Sequence, residues 1–422
     1  MGKHFSFIHC ADLHLGEPFR DIRMGSSGPW NEQIGKATFK AFEKVVDAAL
    51  ENRVDAILIS GDVYNGDHHS LSAQMAFARE LYRAAQGGIE IFMVHGNHDP
   101  GEAWRADIPL PETVHIFPAD QVTSIPLMKD GEKAATIYGI SYKTRHVKEN
   151  LAKEFHREKD DGFAIGMLHT DMGGADSPYA PCTVDDLKAA GMDYWALGHV
   201  HTRKTVSTSP YIVYPGNTQG LSLREIGPRG CYLVDVGAYG TGTLKFIEPD
   251  PIRWMDMTMD ISAYSQTEEL ISAVTKRRSG LKELTGRPNI IRLVCTGSGP
   301  LHAVLSSEDG RDFILQSLND KEQFRYLFAW FVRLEDRTRT SIDLKERREL
   351  PDVTGNFLKA YDALNDLPVD KKKEELRTMA ESQPEFVKYK KLLHSLPDES
   401  LLRSFRKAEL LGAEMLTKEE EK

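Results

Sequence analysis

Cysteine is scarce in this chain, with four residues in 422 and no Cys-x-x-Cys pair. That excludes a thiolate zinc finger and a disulfide framework, and it predicts a reducing compartment, for which the cytoplasm is the default. No apolar stretch approaches the length of about 18 residues that a membrane span requires, so no membrane partner is expected. The short apolar run from Phe5 to Ile8 passes into Asp12 and His14 rather than a small-residue cleavage site, so no signal peptide is expected either. The Walker pattern Gly-x-x-x-x-Gly-Lys-Ser/Thr is missing, so any ATP dependence has to come from a partner. An excess of basic charge is missing too: 53 Lys and Arg stand against 63 Asp and Glu, a net charge of -10. A generally basic nucleic-acid binder is thereby excluded, and a polyanion site has to be a local groove.

What is present begins with size and apolar content. A chain of 422 residues with 41% hydrophobic residues predicts two or three domains with a substantial core. The organising stretch is Gly96-Asn97-His98-Asp99, which follows the apolar run from Ile89 to Val94 and precedes Pro100. A buried strand there delivers an amide, an imidazole and a carboxylate into a loop, where side chains are free of ladder hydrogen bonds. The same arrangement recurs. Apolar runs lead into Asp12-Leu13-His14, Gly61-Asp62, His169 and Gly198-His199-Val200-His201. Imidazole nitrogen with carboxylate and amide oxygen is the donor set of a manganese, iron or zinc centre, not of an all-oxygen calcium site. The set is too large for one ion.

In order and spacing, Asp12-Leu13-His14, Gly61-Asp62, Gly96-Asn97-His98-Asp99, His169 and Gly198-His199-Val200-His201 resemble the calcineurin-like metallophosphoesterase superfamily. Within it, Ala11 to Gly16 and Gly61 to Asn65 are most similar to the DNA-repair exonuclease branch that contains SbcD, and nearest the YhaO-like bacterial proteins. The resemblance implies a four-layer α/β/β/α sandwich and two divalent ions, manganese foremost, with iron, magnesium or zinc as alternatives. It further implies that Asp12, His14 and His201 hold one ion and Asn97, His169 and His199 the other, with Asp62 bridging. A shared hydroxide would attack phosphorus in line. His98 would lie outside the metal shell and protonate the leaving oxygen, with Asp99 orienting it. His68, His69, His95 and His115 carry no such implication.

Tyr214-Pro215-Gly216-Asn217 reads either as a turn offering amides to a phosphate or as a plain hairpin; Asn217 and Arg224 are the candidate substrate contacts. Gly61-Asp62-Val63-Tyr64-Asn65-Gly66 lacks the arginine that phosphoprotein phosphatases carry just after the bridging aspartate. The leading expectation is therefore a two-metal phosphodiesterase acting on DNA as a repair exonuclease or endonuclease. A small-molecule phosphodiesterase or phosphomonoesterase, and a metal-free binding scaffold, are the alternatives.

Helical spacing predicts helices through Phe39 to Leu50 and through Met75 to Ala85, and Thr183 with Asp186 predicts a capping box. Successive strands are expected between about 205 and 248, then a boundary at Pro249-Asp250-Pro251. The expected domains are a nuclease domain over 1–250, a small α+β capping domain over 251–350 and a helical segment over 351–422. In the capping domain, Ser265 with Glu268 and Ser306 with Asp309 are expected to open helices around a strand from Asn289 to Cys295. In the tail, Phe386, Tyr389, Leu393 and Leu396 form one apolar stripe and Leu401, Phe405, Ala408, Leu411 and Met415 another, predicting a helical hairpin with Asp398 as cap. The resemblance implies that this hairpin docks on the coiled coil of an SbcC-like ATPase, and it allows a homodimer. A chain ending near Asn365 is then expected to keep its fold.

Overall fold

The computed structural model describes residues 3–22, 29–66, 70–103, 105–159, 161–174, 176–237, 240–340, 342–383 and 397–420. Two six-stranded sheets form the body. The first contains β1 (Phe5–Cys10), β2 (Ala56–Ser60), β3 (Glu90–Val94), β4 (Val114–Ile116), β11 (Cys231–Gly237) and β12 (Gly240–Ile247), in the order β12-β11-β1-β2-β3-β4. The second contains β5 (Thr123–Lys129), β6 (Glu132–Gly139), β7 (Phe163–His169), β8 (Tyr194–Gly198), β9 (Lys204–Thr208) and β10 (Tyr211–Tyr214), in the order β5-β6-β7-β8-β10-β9. Strands β1 to β4 are parallel, as are β6, β7, β8 and β10.

Alternation along the strands sets the layers. Ile57 and Ile59 face a cluster with Phe42, Val45, Phe77 and Leu81. These come from α2 (Ala37–Glu51), which follows the short α1 (Pro29–Gly35), and from α3 (Leu71–Gln86). Ala56 and Leu58 point the other way, into the seam between the sheets, where they meet Ile165, Met167 and Tyr194. Ala164, Leu168, Trp195 and Leu197 then face outward onto Leu187 of α4 (Val184–Ala189), whose capping box is the one expected from Thr183 and Asp186. The result is the four-layer α/β/β/α sandwich. Of the stripe Met75, Ala78, Leu81, Tyr82 and Ala85 that helical spacing suggests on α3, Ala78 and Leu81 are buried, together with Ala73, Phe77 and Ala84, while Met75 is 58% and Tyr82 42% exposed.

After residue 250 the chain makes a three-stranded sheet from β13 (Arg253–Asp260), β14 (Asn289–Thr296) and β15 (Ala329–Asp336), joined by α5 (Thr267–Thr285), α6 (His302–Leu305) and α7 (Glu308–Asn319). Strand β15 is an addition to the strand-helix-strand-helix pattern expected. Both caps slip by one residue: Glu269, not Glu268, accepts from the amides of Ser265 and Gln266, and Ser307, not Ser306, accepts from Gly310. Phe328 and Ile290 pack with Trp30 and Trp254, and Trp30 stacks on Trp330 at 4.7 Å. Asp250 is no loose linker, because it is buried and bound by Arg253 and Arg287.

Backbone contacts part the chain into two units, one of residues 1–259, 271–294 and 312–335, the other of 260–270, 295–311 and 336–422. The second unit carries α8 (Leu344–Glu349), α9 (Val353–Asn365), α10 (Val369–Ser382) and α11 (Asp398–Glu420). Here the tail differs from expectation. Phe386, Tyr389, Leu393 and Leu396 lie outside the described residues. In α11, Phe405 stacks on Tyr361 of α9 at 4.4 Å, and Gly412 lets Phe357 approach where a Cβ would be 2.2 Å from its ring. Leu411 and Met415 remain 56% and 68% exposed. Asp398 binds Lys373 and Arg377 of α10, tying the two helices together. A chain ending near Asn365 would uncover Tyr361 and Phe357, so that truncation removes packing that α9 uses. All four cysteines are buried and free.

Candidate metal centre

The carboxyl ends of the parallel strands β1, β2, β3, β7 and β8 gather at one edge, where open α/β sheets place their ligands. The chain leaves these strands under strain. Asp12, His14, Asp62 and His199 have positive φ, at 52, 44, 53 and 98°, a conformation costing about 1–3 kcal/mol each for residues with a Cβ. Cross-loop bonds hold it: Asp12 N donates to Gly61 O, and His14 N to Asp62 O, both at 3.1 Å. Glycine is required beside the ligands. A Cβ on Gly61 would stand 2.5 Å from His169 Nδ1, one on Gly96 2.3 Å from Asp62 Oδ1, and one on Gly198 1.8 Å from Ser60 O.

The side chains so placed fall into two groups. In the first, His14 Nε2 lies 3.0 Å from His201 Nε2, and Asp12 completes the cluster. In the second, Asn97 Oδ1 lies 3.0 Å from His169 Nε2 and 3.1 Å from His199 Nδ1. Asp62 stands between them, with Oδ2 4.0 Å from His14 Nε2 and 3.4 Å from His169 Nε2. Asp12 also clusters with Asp62 and His169, so its carboxylate borders both groups.

Charge is distributed unevenly among them. Burial lowers His14 to about 3 and His199 to about 4, so both offer neutral nitrogens at pH 7. Burial raises Asp12 to about 6 against the pull of His201 and His169. For His169 burial opposes protonation, but Asp62 outweighs it and carries the imidazole to about 9. Asp62 itself is held far below the carboxylate range: burial opposes its charge, and His169, His14 and His98 overcome that. Two imidazole nitrogens and two carboxylates converging at contact distance, with His14 kept neutral, suit a cation. Donor atoms 3.0–3.1 Å apart are close to the separation of ligands that each sit about 2.1 Å from one ion. The residues present therefore fit two divalent ions.

Several supporting groups carry no sequence signal. Glu225 Oε1 accepts from His201 Nδ1 at 2.6 Å, leaving Nε2 free to ligate, and the His201 proton in turn pulls the Glu225 carboxyl down to about 2 although burial opposes this. Ser60 O does the same for His169 Nδ1 at 2.9 Å. His9, fully buried, bonds the Leu197 carbonyl through Nε2 and Tyr194 Oη through Nδ1, and lies 3.3 Å from Ser60 Oγ. It rivets together β1, β2 and β8. A motif search finds these residues only if it asks what orients each ligand.

Two expected roles change. Asp99 does not orient His98: its carboxylate accepts from the amides of Gly96 and Asp62 at 2.8 and 3.1 Å and of Val63 at 3.1 Å, and it lies 3.6 Å from His95. It fixes the Asp62 loop, because three amides of two adjacent loops point at its buried position. Asn217 is buried, with its amide spent on Gln219 O, Glu225 and Arg229; nothing is left over for a substrate. Arg224 is exposed beside Glu225 and stays available. His98 sits half-buried with its ring 5.1 Å from that of His14, its backbone amide donating to Asp62 Oδ1. His115 pairs with Glu90, and His68 and His69 lie outside the described residues.

Comparison with known proteins agrees with this geometry. The calcineurin-like phosphoesterase family matches residues 5–203, and the middle domain of metallophosphoesterase YhaO matches residues 254–339. The metallophosphoesterase YhaO of Bacillus subtilis (strain 168) is 36% identical over 343 residues, 80% of this chain and 83% of that protein. The DNA double-strand break repair protein Mre11 of Sulfurisphaera tokodaii is 24% identical over 365 residues, 83% and 87% of the two chains. That of Methanopyrus kandleri is 22% identical over 404 residues, 89% and 83% of the two. Two donor clusters at the strand ends of a two-sheet sandwich, followed by a YhaO-type middle domain, make this chain a member of the calcineurin-like metallophosphoesterases, of the YhaO-like kind.

Proposed function

We propose that the chain is a phosphodiesterase that hydrolyses the DNA backbone, with Asp12, His14 and His201 holding one divalent ion, Asn97, His169 and His199 a second, and Asp62 shared. The observation that carries the reading is the pair of donor clusters with one imidazole, His98, left just outside them. Similarity to Mre11 proteins supports DNA as the substrate class. Divalent ions held by these residues, manganese by preference, would supply Lewis acidity and the means of activating water at neutral pH.

The chain's own groups do the rest. Glu225 and Ser60 O fix the tautomers of His201 and His169, so that each presents Nε2. Asp99 clamps the loop that carries Asp62. His98 is held by the bond from its amide to Asp62 and delivers a proton to the leaving oxygen. Arg224 contributes a phosphate contact at the rim. Unit two offers its exposed Leu411 and Met415 to a partner, for which a coiled-coil ATPase of the SbcC kind is our choice. We also retain the three-part division at about 250 and 350, a cytoplasmic location and a homodimer as parts of the proposal. Among the described residues no helix is long and apolar enough to cross a membrane.

The deciding experiment compares manganese-dependent hydrolysis of labelled single- and double-stranded DNA with that of a chromogenic diester and cyclic nucleotides. Cleavage of DNA above the small substrates supports the reading. Activity on the small substrates alone makes the enzyme a small-molecule phosphoesterase, and failure to bind manganese makes it a scaffold.

A further inference from the structure

In a chain of net charge -10, one stretch of the first unit reverses the sign. Residues 275–287 and 320–327 together hold seven Lys or Arg against three Asp or Glu. The two segments are joined through Glu322, which is 1% exposed. Its carboxylate takes Lys282 at 2.6 Å, Arg325 at 3.5 Å and Arg278 at 3.8 Å, and accepts from Ala329 N at 2.8 Å. One of the few negative charges is therefore already consumed, and the chain around it is anchored. On this anchored segment Phe324 is 71% and Tyr326 78% exposed.

Large rings so exposed on a fixed backbone are uncommon unless something covers them. Arg325 between them has extended backbone, at φ -94 and ψ 138°, which puts the Cα atoms of Phe324 and Tyr326 about 6.5–7 Å apart. Lys276 and Lys321 are exposed on the same pair of segments. Alternating aromatic and cationic groups satisfy both needs of a single strand, whose bases present free π-faces and whose phosphates require counter-charge.

We infer that Phe324, Arg325 and Tyr326, with the basic half of α5, form an accessory pad that stacks unpaired bases of single-stranded DNA. The inference deepens the DNA reading and rests on it for the choice of DNA among polyanions. It makes a duplex a poor occupant, since paired bases expose no free face.

The test uses fluorescence anisotropy on the full, manganese-loaded chain, with a fluorescein-labelled, phosphorothioate-linked dT20 and a blunt duplex of the same linkage as probes. Phe324→Ala/Tyr326→Ala should weaken binding of dT20 by roughly tenfold or more, given the usual contribution of base stacking, while duplex affinity, the melting temperature and hydrolysis of bis-p-nitrophenyl phosphate stay as in the parent. Lys276→Gln/Lys321→Gln should lower the salt slope of dT20 binding by about 1.4. Unchanged dT20 affinity in the aromatic variant, or an equal loss on the duplex, overturns the pad. A parent protein that hydrolyses the diester but does not bind dT20 also overturns it while leaving the phosphodiesterase intact. One that binds dT20 through these rings but hydrolyses no diester supports the pad and refutes the catalytic reading.

Discussion

Replacing Glu225 by glutamine should weaken one metal ion and spare the other. Glu225 touches His201 Nδ1 at 2.6 Å, so its influence falls on the cluster of Asp12, His14 and His201 rather than on Asn97, His169 and His199. The carboxylate does two things there: it fixes the tautomer, and its charge makes Nε2 a stronger donor. Glutamine keeps size and one acceptor but loses the charge, and a charge-assisted hydrogen bond is about twice as strong as a neutral one. Loss of such an outer partner typically costs about 10- to 100-fold in metal affinity, or about 1.4–2.7 kcal/mol. Glu225→Gln should lie at the lower end and Glu225→Ala at the upper. Alanine also strands Leu221 N and leaves Asn217 Nδ2 only its bond to Gln219 O, adding about 1–3 kcal/mol of lost stability for the unsatisfied amide. Titration calorimetry with manganese should show two steps in the parent protein and a single shifted step in the variant. Equal weakening of both steps, or of neither, would refute the assignment of His201 to a separate ion.

His98→Ala should lower turnover by about 100- to 10,000-fold with manganese stoichiometry unchanged, read by steady-state kinetics and elemental analysis; a loss of metal in that variant would make His98 a ligand. Gly198→Ala should cost at least about 2 kcal/mol in chemical denaturation, since the new Cβ would meet Ser60 O at 1.8 Å; a smaller loss would mean that the β8 turn yields easily. Metal affinity should rise with pH: His169 holds a proton up to about 9 and Asp12 up to about 6, and a cation has to displace both. From about 6 to about 9 the gain should be at least about tenfold per pH unit, because His169 releases its proton there and His201, where burial opposes the charge but Glu225 and Asp12 hold the imidazole above its ordinary range, has a proton to release as well. Calorimetry in buffers of different ionisation enthalpy reads the released protons directly, and a pH-independent affinity would contradict the charged Asp62–His169 pair.

Legibility in the sequence followed the range of the interaction involved. Asp12, Asp62 and Asn97 were legible because each stands one to three residues beyond an apolar run, and strand ends are local. The capping box at Thr183 was legible for the same reason. Asp99 was misread because adjacency to His98 was taken for contact. In the fold its carboxylate turns to the amides of Gly96, Asp62 and Val63, across two loops. Strand β15 is not legible locally because Phe328, Trp330 and Val332 acquire their partners from Trp30 and Ile290, far away in the chain. The second tail stripe was half right: Phe405 is buried, yet Leu411 and Met415 face outward because α11 meets α9 at a different angle around its axis.

By itself the sequence determined the buried strands and the identity of the donors, because continuous apolar runs and the residues just beyond them are properties of neighbouring positions, and the sandwich was implied by the order of those motifs. Only the tertiary structure decided which donors share an ion, since His14 and His201 are 187 positions apart and meet at 3.0 Å. It alone decided that Glu225 and Ser60 orient the imidazoles, that Asn217 is spent, and that Phe324 and Tyr326 stand exposed on a cationic surface. Charge and packing act through space, and their partners come from strands and loops that the chain order keeps apart.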